Sequence, residues 1–201
     1  SVVAAALAGN LPCVLDVDGP NMPNWAWSGY MQPLPIDQAK FAEFLPGTKG
    51  IWADKLYSIG LWDAAVALYA RQSTLDGLRT PTLEQPWTGE EFMAALDAAK
   101  ASGKFDYALD LGMNDQGEWY PYAFSPFLQS FGGDIVDRST YLTADGVLNG
   151  DAGLEFGAWW QKLFAERYAP GTSEDPADQQ TGFIDGRFAF QWNGNWRAVA
   201  T

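Results

Sequence analysis

The segment from Asp18 to Trp25 places a carboxylate, an amide and an indole ring directly after a short apolar run. That run, residues 12–17, predicts a buried strand, which residues 18–20 end as a turn. Open α/β sheets bind ligands at the carboxyl ends of their strands, where Asp18, Asn21 and Trp25 would lie. Carboxylates and amides bind hydroxyl groups and a flat ring covers a C–H face, so this combination suits a sugar. Asp and Asn also favour turns for purely local reasons.

A second group of aromatic residues lies in the stretch Glu118-Trp-Tyr-Pro-Tyr122. Three rings and one carboxylate fall within five residues, directly after a turn predicted at residues 114–117. Successive side chains point in different directions, so Trp119, Tyr120 and Tyr122 cannot all be buried. All three are therefore candidate ligand contacts, and the alternative for each is a place in the core.

The sequence contains no His and a single Cys, Cys13. No disulfide can form within the chain, and zinc sites built from Cys and His are excluded. Catalytic triads and general-base schemes that depend on His are excluded as well. Chemistry that uses carboxylates alone survives these exclusions. We expect no catalytic residues, no cofactor and no metal.

The composition favours a folded, acidic protein. The 201 residues are 47% hydrophobic, enough to bury a core in one large domain or two small lobes. Twelve basic and 25 acidic residues give a formal net charge of −13, which argues against nucleic acid and anionic membrane surfaces as partners. Ten Trp residues exceed what a core of this size needs, so some are expected to face a ligand.

Predicted strands and helices alternate along the chain, which indicates the α/β class. Strands are predicted at residues 12–17, 55–61, 65–71, 107–112 and 187–192. Helices are predicted at residues 24–30, 40–45, 73–77, 88–103, 118–131, 151–168 and 179–185. The helix at 88–103 begins with the capping box Thr88-Gly-Glu-Glu91 and ends at Gly103.

Both ends of the sequence are expected to be cut. Residues 1–9 are interpreted as the end of an amphipathic helix, since they lack the initiating Met and basic region of a signal peptide. The first strand of a βαβ series is not found. The sequence stops just after a predicted strand and turn.

Four stretches in a fixed order span nearly the whole sequence. The first is Pro12-Cys-Val-Leu-Asp-Val-Asp-Gly-Pro20 followed by Trp25-Ala-Trp-Ser-Gly-Tyr30, and the second is Leu56-Tyr-Ser-Ile-Gly-Leu-Trp-Asp63 followed by Pro86-Trp-Thr-Gly-Glu-Glu-Phe92. The third is Tyr120-Pro-Tyr122 with Phe131-Gly-Gly133. The fourth is Phe183-Ile-Asp-Gly186 with Ala189-Phe-Gln-Trp-Asn-Gly194 and Trp196. Together they resemble the extracellular solute-binding proteins of sugar-importing ABC transporters, the maltose-binding-protein-like family. The resemblance implies an incomplete periplasmic-binding-protein-like fold with two lobes (type II).

The resemblance also implies a division of the chain and a mode of action. Residues 1–61 would be part of lobe one and residues 62–201 most of lobe two, with the crossing near residues 58–63. The lobes would close by a hinge motion on a mono- or oligosaccharide, held by aromatic stacking and carboxylate hydrogen bonds. The partners would be the sugar and the membrane subunits of an ABC permease, and the location periplasmic or extracellular, associated with the membrane.

Further site residues follow from positions that match the family. Asp63 matches an acidic sugar ligand of the family, and Trp62 is its neighbour. Tyr122 and Trp196 match residues on which the sugar stacks. By contrast, Trp159, Trp160 and Phe164 have helical spacing and are predicted to be core.

Three other functions stay open. Acidic and aromatic side chains could also form a cation cage for a solute such as a polyamine. The segment Leu15-Asp-Val-Asp-Gly19 resembles the nucleophile loop of haloacid-dehalogenase-like phosphatases, with Asp16 as nucleophile and Asp18 as acid/base. A glycosidase with two carboxylates would share an aromatic cleft, although nothing singles out such a pair.

Overall fold

The chain divides into two compact units, Ser1–Ala64 and Ala65–Thr201, called unit 1 and unit 2 below. The computed structural model describes residues 2–78, 80, 81, 85–115, 117–171 and 181–199. No helix among these residues is long and apolar enough to cross a membrane.

The described part of unit 1, residues 2–64, forms two α-helices, three short 3-10 helices and a two-stranded antiparallel sheet. The elements are α1 Val2–Leu7, the 3-10 helix Gly19–Asn21, α2 Met22–Trp27, the 3-10 helices Gln38–Phe41 and Pro46–Thr48, β1 Lys49–Trp52 and β2 Lys55–Ile59. Met22 and Ala26, one helical turn apart on α2, bury their side chains with Tyr57 of β2. This small cluster is the core of unit 1.

The turn between β1 and β2 contains two residues, Ala53 and Asp54, both with positive φ. Positive φ at both central positions is the pattern of a type I′ turn, whose twist matches that of an antiparallel pair. Strand β1 was not predicted from the sequence because neither turn residue is Gly or Asn, the usual signal for this turn.

The strand predicted at residues 12–17 is wrong. These residues join neither sheet, and Val14 exposes 85% of its surface. A strand needs a neighbour to bond its peptide groups, and among the described residues of unit 1 only β1 and β2 form a sheet. An apolar run of this length indicates that a segment can be buried, but it does not show that another strand is available to pair with it.

Unit 2 is built on a mixed three-stranded sheet in the order β3-β5-β4. The strands are β3 Val66–Ala70, β4 Tyr107–Asp110 and β5 Phe188–Gly194, with β3 antiparallel and β4 parallel to β5. The helices are α3 Gln72–Leu78, α4 Gly89–Ser102, α5 Trp119–Ser130, α6 Asp151–Ala165 and a terminal 3-10 helix Asn195–Val199. Alternating helices and strands confirm the predicted α/β class.

Helix α4 begins and ends as predicted. The Glu91 N–H donates to Thr88 Oγ1 at 3.2 Å, and the Thr88 N–H donates to Glu91 Oε2 at 2.8 Å. Gly103 ends the helix in the left-handed conformation, with φ of 64°. Leu96 and Ala99 on its inner face are fully buried against the core.

Trp159, Trp160 and Phe164 pack against the core of unit 2, which confirms their predicted place. Three predicted helices differ from the structure. Residues 40–45 form only the end of a 3-10 helix and a turn, and α6 is capped by Gly150 rather than Asp151. In the predicted helix 179–185, residues 179 and 180 lie outside the described residues, and 181–185 form turns.

Candidate functional site

Three of the predicted rings meet in unit 2 as one cluster, the aromatic trio of Trp119, Tyr122 and Trp196. Trp119 and Tyr122 are three residues apart at the start of α5, so they share a face of the helix. Trp196 lies in the 3-10 helix that directly follows β5. Its ring stacks on Tyr122, with centroids 6.1 Å apart and planes at 25°, and meets Trp119 edge to face at 6.3 Å.

The members of the trio differ in depth. Trp119 exposes only 9% of its surface, and its indole N–H donates to the carbonyl oxygen of Leu111 at 3.1 Å. Trp196 remains 48% exposed. A ligand from solvent can therefore reach Trp196, while Trp119 supports the cluster from beneath.

Tyr120 makes contacts of its own beside the trio. Its hydroxyl donates to the carbonyl oxygen of Met113 at 2.7 Å, and its ring packs on Phe124 with centroids 5.3 Å apart. The ring is only partly buried, so a ligand contact by Tyr120 stays a prediction.

A buried polar pair that sequence reasoning missed supports this end of the sheet. Gln191 Nε2 donates to Asp110 Oδ2 at 2.7 Å, and the other carboxylate oxygen accepts the Gly112 N–H at 3.0 Å. Both side chains are almost fully buried. The turn that they fix carries the Leu111 carbonyl that holds Trp119. The available signal was a polar residue within an otherwise apolar stretch of each strand, Asp110 after Ala108 and Leu109 and Gln191 between Phe190 and Trp192.

In unit 1 the candidate residues Asp18, Asn21 and Trp25 lie around the start of a helix. Asp18 precedes the 3-10 helix Gly19–Asn21, and both Asp18 and Asn21 are exposed. Trp25 lies on α2 and is half-buried. The strand that was expected to position them is absent, so local turn geometry holds them instead.

Trp62 and Asp63 follow β2 near the end of unit 1. Trp62 exposes 76% of its surface. Asp63 Oδ1 accepts the Ala64 N–H at 3.0 Å, and the carboxylate lies so close to Gly47 that a side chain there would overlap it. Sugar contacts by these five residues of unit 1 stay predictions.

The phosphatase interpretation loses its structural basis at Asp16 and Asp18. Both carboxylates are exposed on an unpaired segment, whereas that chemistry presents its nucleophile at the end of a strand. Among the described residues, no group of three or more Cys, Asp or Glu side chains could hold a metal ion.

Unit 2 also contains a wide groove with a volume of about 1070 Å³. Apolar and aromatic side chains dominate its lining, among them Leu68, Trp87, Phe92, Phe127, Trp159 and Trp192. None of the predicted site residues lies in it. The lining also includes the polar side chains of Gln85, Thr88, Glu90 and Ser130, so the groove combines apolar walls with a few groups that can form hydrogen bonds.

Solved structures that share this fold include proteins in complex with sugars. The GacH receptor of Streptomyces glaucescens, solved with acarbose, is 24% identical with a TM-score of 0.77, over 96% of this chain and 48% of its own. An ABC transporter solute-binding protein of Thermotoga lettingae, bound to α-D-tagatose, is 17% identical with a TM-score of 0.75, over 97% and 51%. An ABC substrate-binding protein of Listeria monocytogenes, in complex with cycloalternan, is 17% identical with a TM-score of 0.74, over 98% and 50%.

These likenesses confirm the predicted periplasmic-binding-protein-like fold. The chain spans about half the length of each of these solved structures. No match was found among curated protein sequences. The model of one family, described as bacterial extracellular solute-binding protein, matches residues 1–201. The chain therefore belongs to the bacterial extracellular solute-binding protein family, as the four stretches of sequence predicted.

Proposed function

We propose that this chain is part of a receptor that delivers a mono- or oligosaccharide to an ABC importer. The observation that carries the proposal is the half-exposed ring of Trp196, stacked on Tyr122 and supported by the buried Trp119. Structures of the same fold that hold acarbose, tagatose and cycloalternan support the ligand class.

The chemistry of a sugar fits this surface. A pyranose has an apolar C–H face and a rim of hydroxyl groups, so it is recognised by a flat ring together with polar groups. Trp196 supplies the ring. Unit 1 has predicted sugar contacts of its own: the carboxylates of Asp18 and Asp63 and the amide of Asn21 as hydroxyl partners, and Trp25 and Trp62 as rings.

The proposal is tested by isothermal titration of the full chain with a panel of maltose, maltotriose, glucose and D-tagatose. We expect at least one sugar to bind, and Trp196→Ala to weaken that binding about tenfold or more, because it removes the stacking surface. The exposed Trp27 is the matched control, since Trp27→Ala removes an equally large ring that was not predicted to contact sugar. Equal losses in the two variants, or no binding across a broad sugar panel, would contradict the proposal.

We further propose that the protein binds its ligand without changing it and transfers it to the membrane subunits of a permease, from the periplasm or the outer face of the membrane. Chromatography of the sugar released after long incubation should recover the starting compound alone. Hydrolysis of the bound sugar, or Mg²⁺-dependent release of phosphate from an aryl phosphate that Asp16→Asn abolishes, would contradict a receptor without catalysis.

A further inference from the structure

The ring of Trp196 lies directly against the backbone of Gly194. A Cβ added at residue 194 would overlap the ring carbons Cε3, Cζ3 and Cη2, far inside the 3.0 Å that real Cβ atoms keep. Gly194 is the last residue of β5, and its φ lies outside the left-handed region. The backbone there would accept any residue, so the space taken by the ring is what requires Gly.

The backbone at Gly194 is held from several sides. Its carbonyl oxygen accepts the Tyr69 hydroxyl at 2.9 Å, and its N–H donates to Asn193 Oδ1 at 2.8 Å. The next N–H, of Asn195, donates to the carbonyl oxygen of Ala65 at 2.9 Å. Because the strand end is fixed in this way, a clash at residue 194 would displace the ring and not the backbone.

The ring is also bounded by the rest of the trio. Tyr122 stacks on Trp196, and Trp119 meets it edge to face. Trp119 is buried and bonded to Leu111, so it cannot move aside without loss of that hydrogen bond. A ring displaced from Gly194 therefore loses its stacked position.

We propose that Gly194 is a positioning residue for sugar binding, because its missing side chain allows Trp196 to hold the stacked orientation in which the ring meets the ligand. This inference rests on the proposed function. It assigns to Gly194 a role that acts through Trp196 and involves no contact with sugar by Gly194 itself.

A double-mutant cycle in the full chain tests the inference. The tightest-binding sugar of the panel is titrated into Gly194→Ala, Trp196→Ala and the double variant. We expect Gly194→Ala to weaken binding roughly fivefold to tenfold, as loss of one stacking contact would. In the Trp196→Ala background the same change should alter affinity by less than about twofold, since the residue through which it acts is gone. Equal losses in both backgrounds would overturn the inference.

A second readout does not depend on sugar. In protein labelled with 5-fluorotryptophan, the ¹⁹F signal of Trp196 is assigned by its loss in Trp196→Phe, and Gly194→Ala should shift that signal. Gly157→Ala is the matched control, because Gly157 is exposed on α6 and a Cβ there meets no atom. A Trp196 signal that is the same in Gly194→Ala as in the wild type would overturn the inference. This readout also separates the two proposals, because sugar binding can fail while the ring still moves.

Folding of the variants is checked by thermal unfolding. If Gly194→Ala lowers the melting temperature by steric overlap with the ring, the same change should lower it far less in the Trp196→Ala background. An equal drop in melting temperature in both backgrounds would show that the overlap lies elsewhere and would contradict the inference.

Discussion

At the scale of single residues, burial separates the rings that support from the ring that is available to a ligand. The indole N–H of Trp119 donates to the carbonyl oxygen of Leu111, and that of Trp192 donates to the carbonyl oxygen of Ala123. Each bond ties a helix to its neighbouring segment. Trp196 lies outside this framework with half of its surface exposed.

Tyr168 provides a residue-scale prediction about pH. Its hydroxyl donates to Asp97 Oδ1 at 2.5 Å, and this bond, together with burial, raises the pKa of Tyr168 above its ordinary value. Above about pH 10 the unfolded chain releases this proton while the folded chain keeps it, so the free energy of unfolding falls as pH rises. Urea unfolding at pH 7 and pH 11 should show a smaller alkaline loss in Tyr168→Phe than in the wild type.

The same substitution should lower the free energy of unfolding at pH 7 by about 1.5–3 kcal/mol, because it removes a hydrogen bond to a charged carboxylate. An alkaline loss as large in Tyr168→Phe as in the wild type would refute the assignment.

At the scale of elements, the start of α4 depends on two side chains that bond each other's backbone. Thr88→Ala removes the acceptor for the Glu91 N–H, and we expect it to lower the free energy of unfolding by about 1 kcal/mol. Chemical denaturation measures this loss. Thr88→Ser, which keeps the hydroxyl, should stay close to the wild type, and a Ser variant as unstable as the Ala variant would contradict the capping role.

Local signals predicted α4 well, whereas pairings between distant residues escaped prediction. The capping box and Gly103 lie within one helix, so the sequence contains the whole signal. Strand β1 exists because β2 pairs with it, and residues 12–17 form no strand because no neighbour pairs with them. Hydrophobicity alone distinguishes neither case.

The candidate site was predictable to a similar degree. Residue types and the family resemblance identified Trp119, Tyr122 and Trp196, which the structure brings together. Which ring is buried depends on the Leu111 carbonyl, and the buried Asp110–Gln191 bond joins residues 81 positions apart in the sequence. Neither the burial of Trp119 nor the Asp110–Gln191 hydrogen bond can be predicted from a local sequence pattern.

At the scale of the whole molecule, the net charge of −13 means that the salt dependence of binding can distinguish a neutral ligand from a cationic one. Salt screens interactions between charges and leaves the stacking of a neutral sugar nearly unchanged. We expect the dissociation constant for the sugar to change by less than about twofold between 50 and 500 mM NaCl. Spermidine, titrated under the same two conditions, is the cationic comparison. Tight binding of spermidine that weakens steeply with salt, without sugar binding, would support a polyamine receptor instead.

The strand order of unit 2 also has a consequence for how the chain folds. The central strand β5 comes after β3 and β4 in the sequence. Val66 of β3 pairs with Gly194 of β5, so the two paired residues are separated by almost the full sequence of unit 2. Closing loops of this length costs chain entropy before any pairing compensates for it, which lowers the folding rate relative to a sheet whose strands pair through short turns. On a ribosome, β3 and β4 emerge long before the strand that joins them. The sheet of unit 2 is therefore completed only after synthesis has passed residue 194.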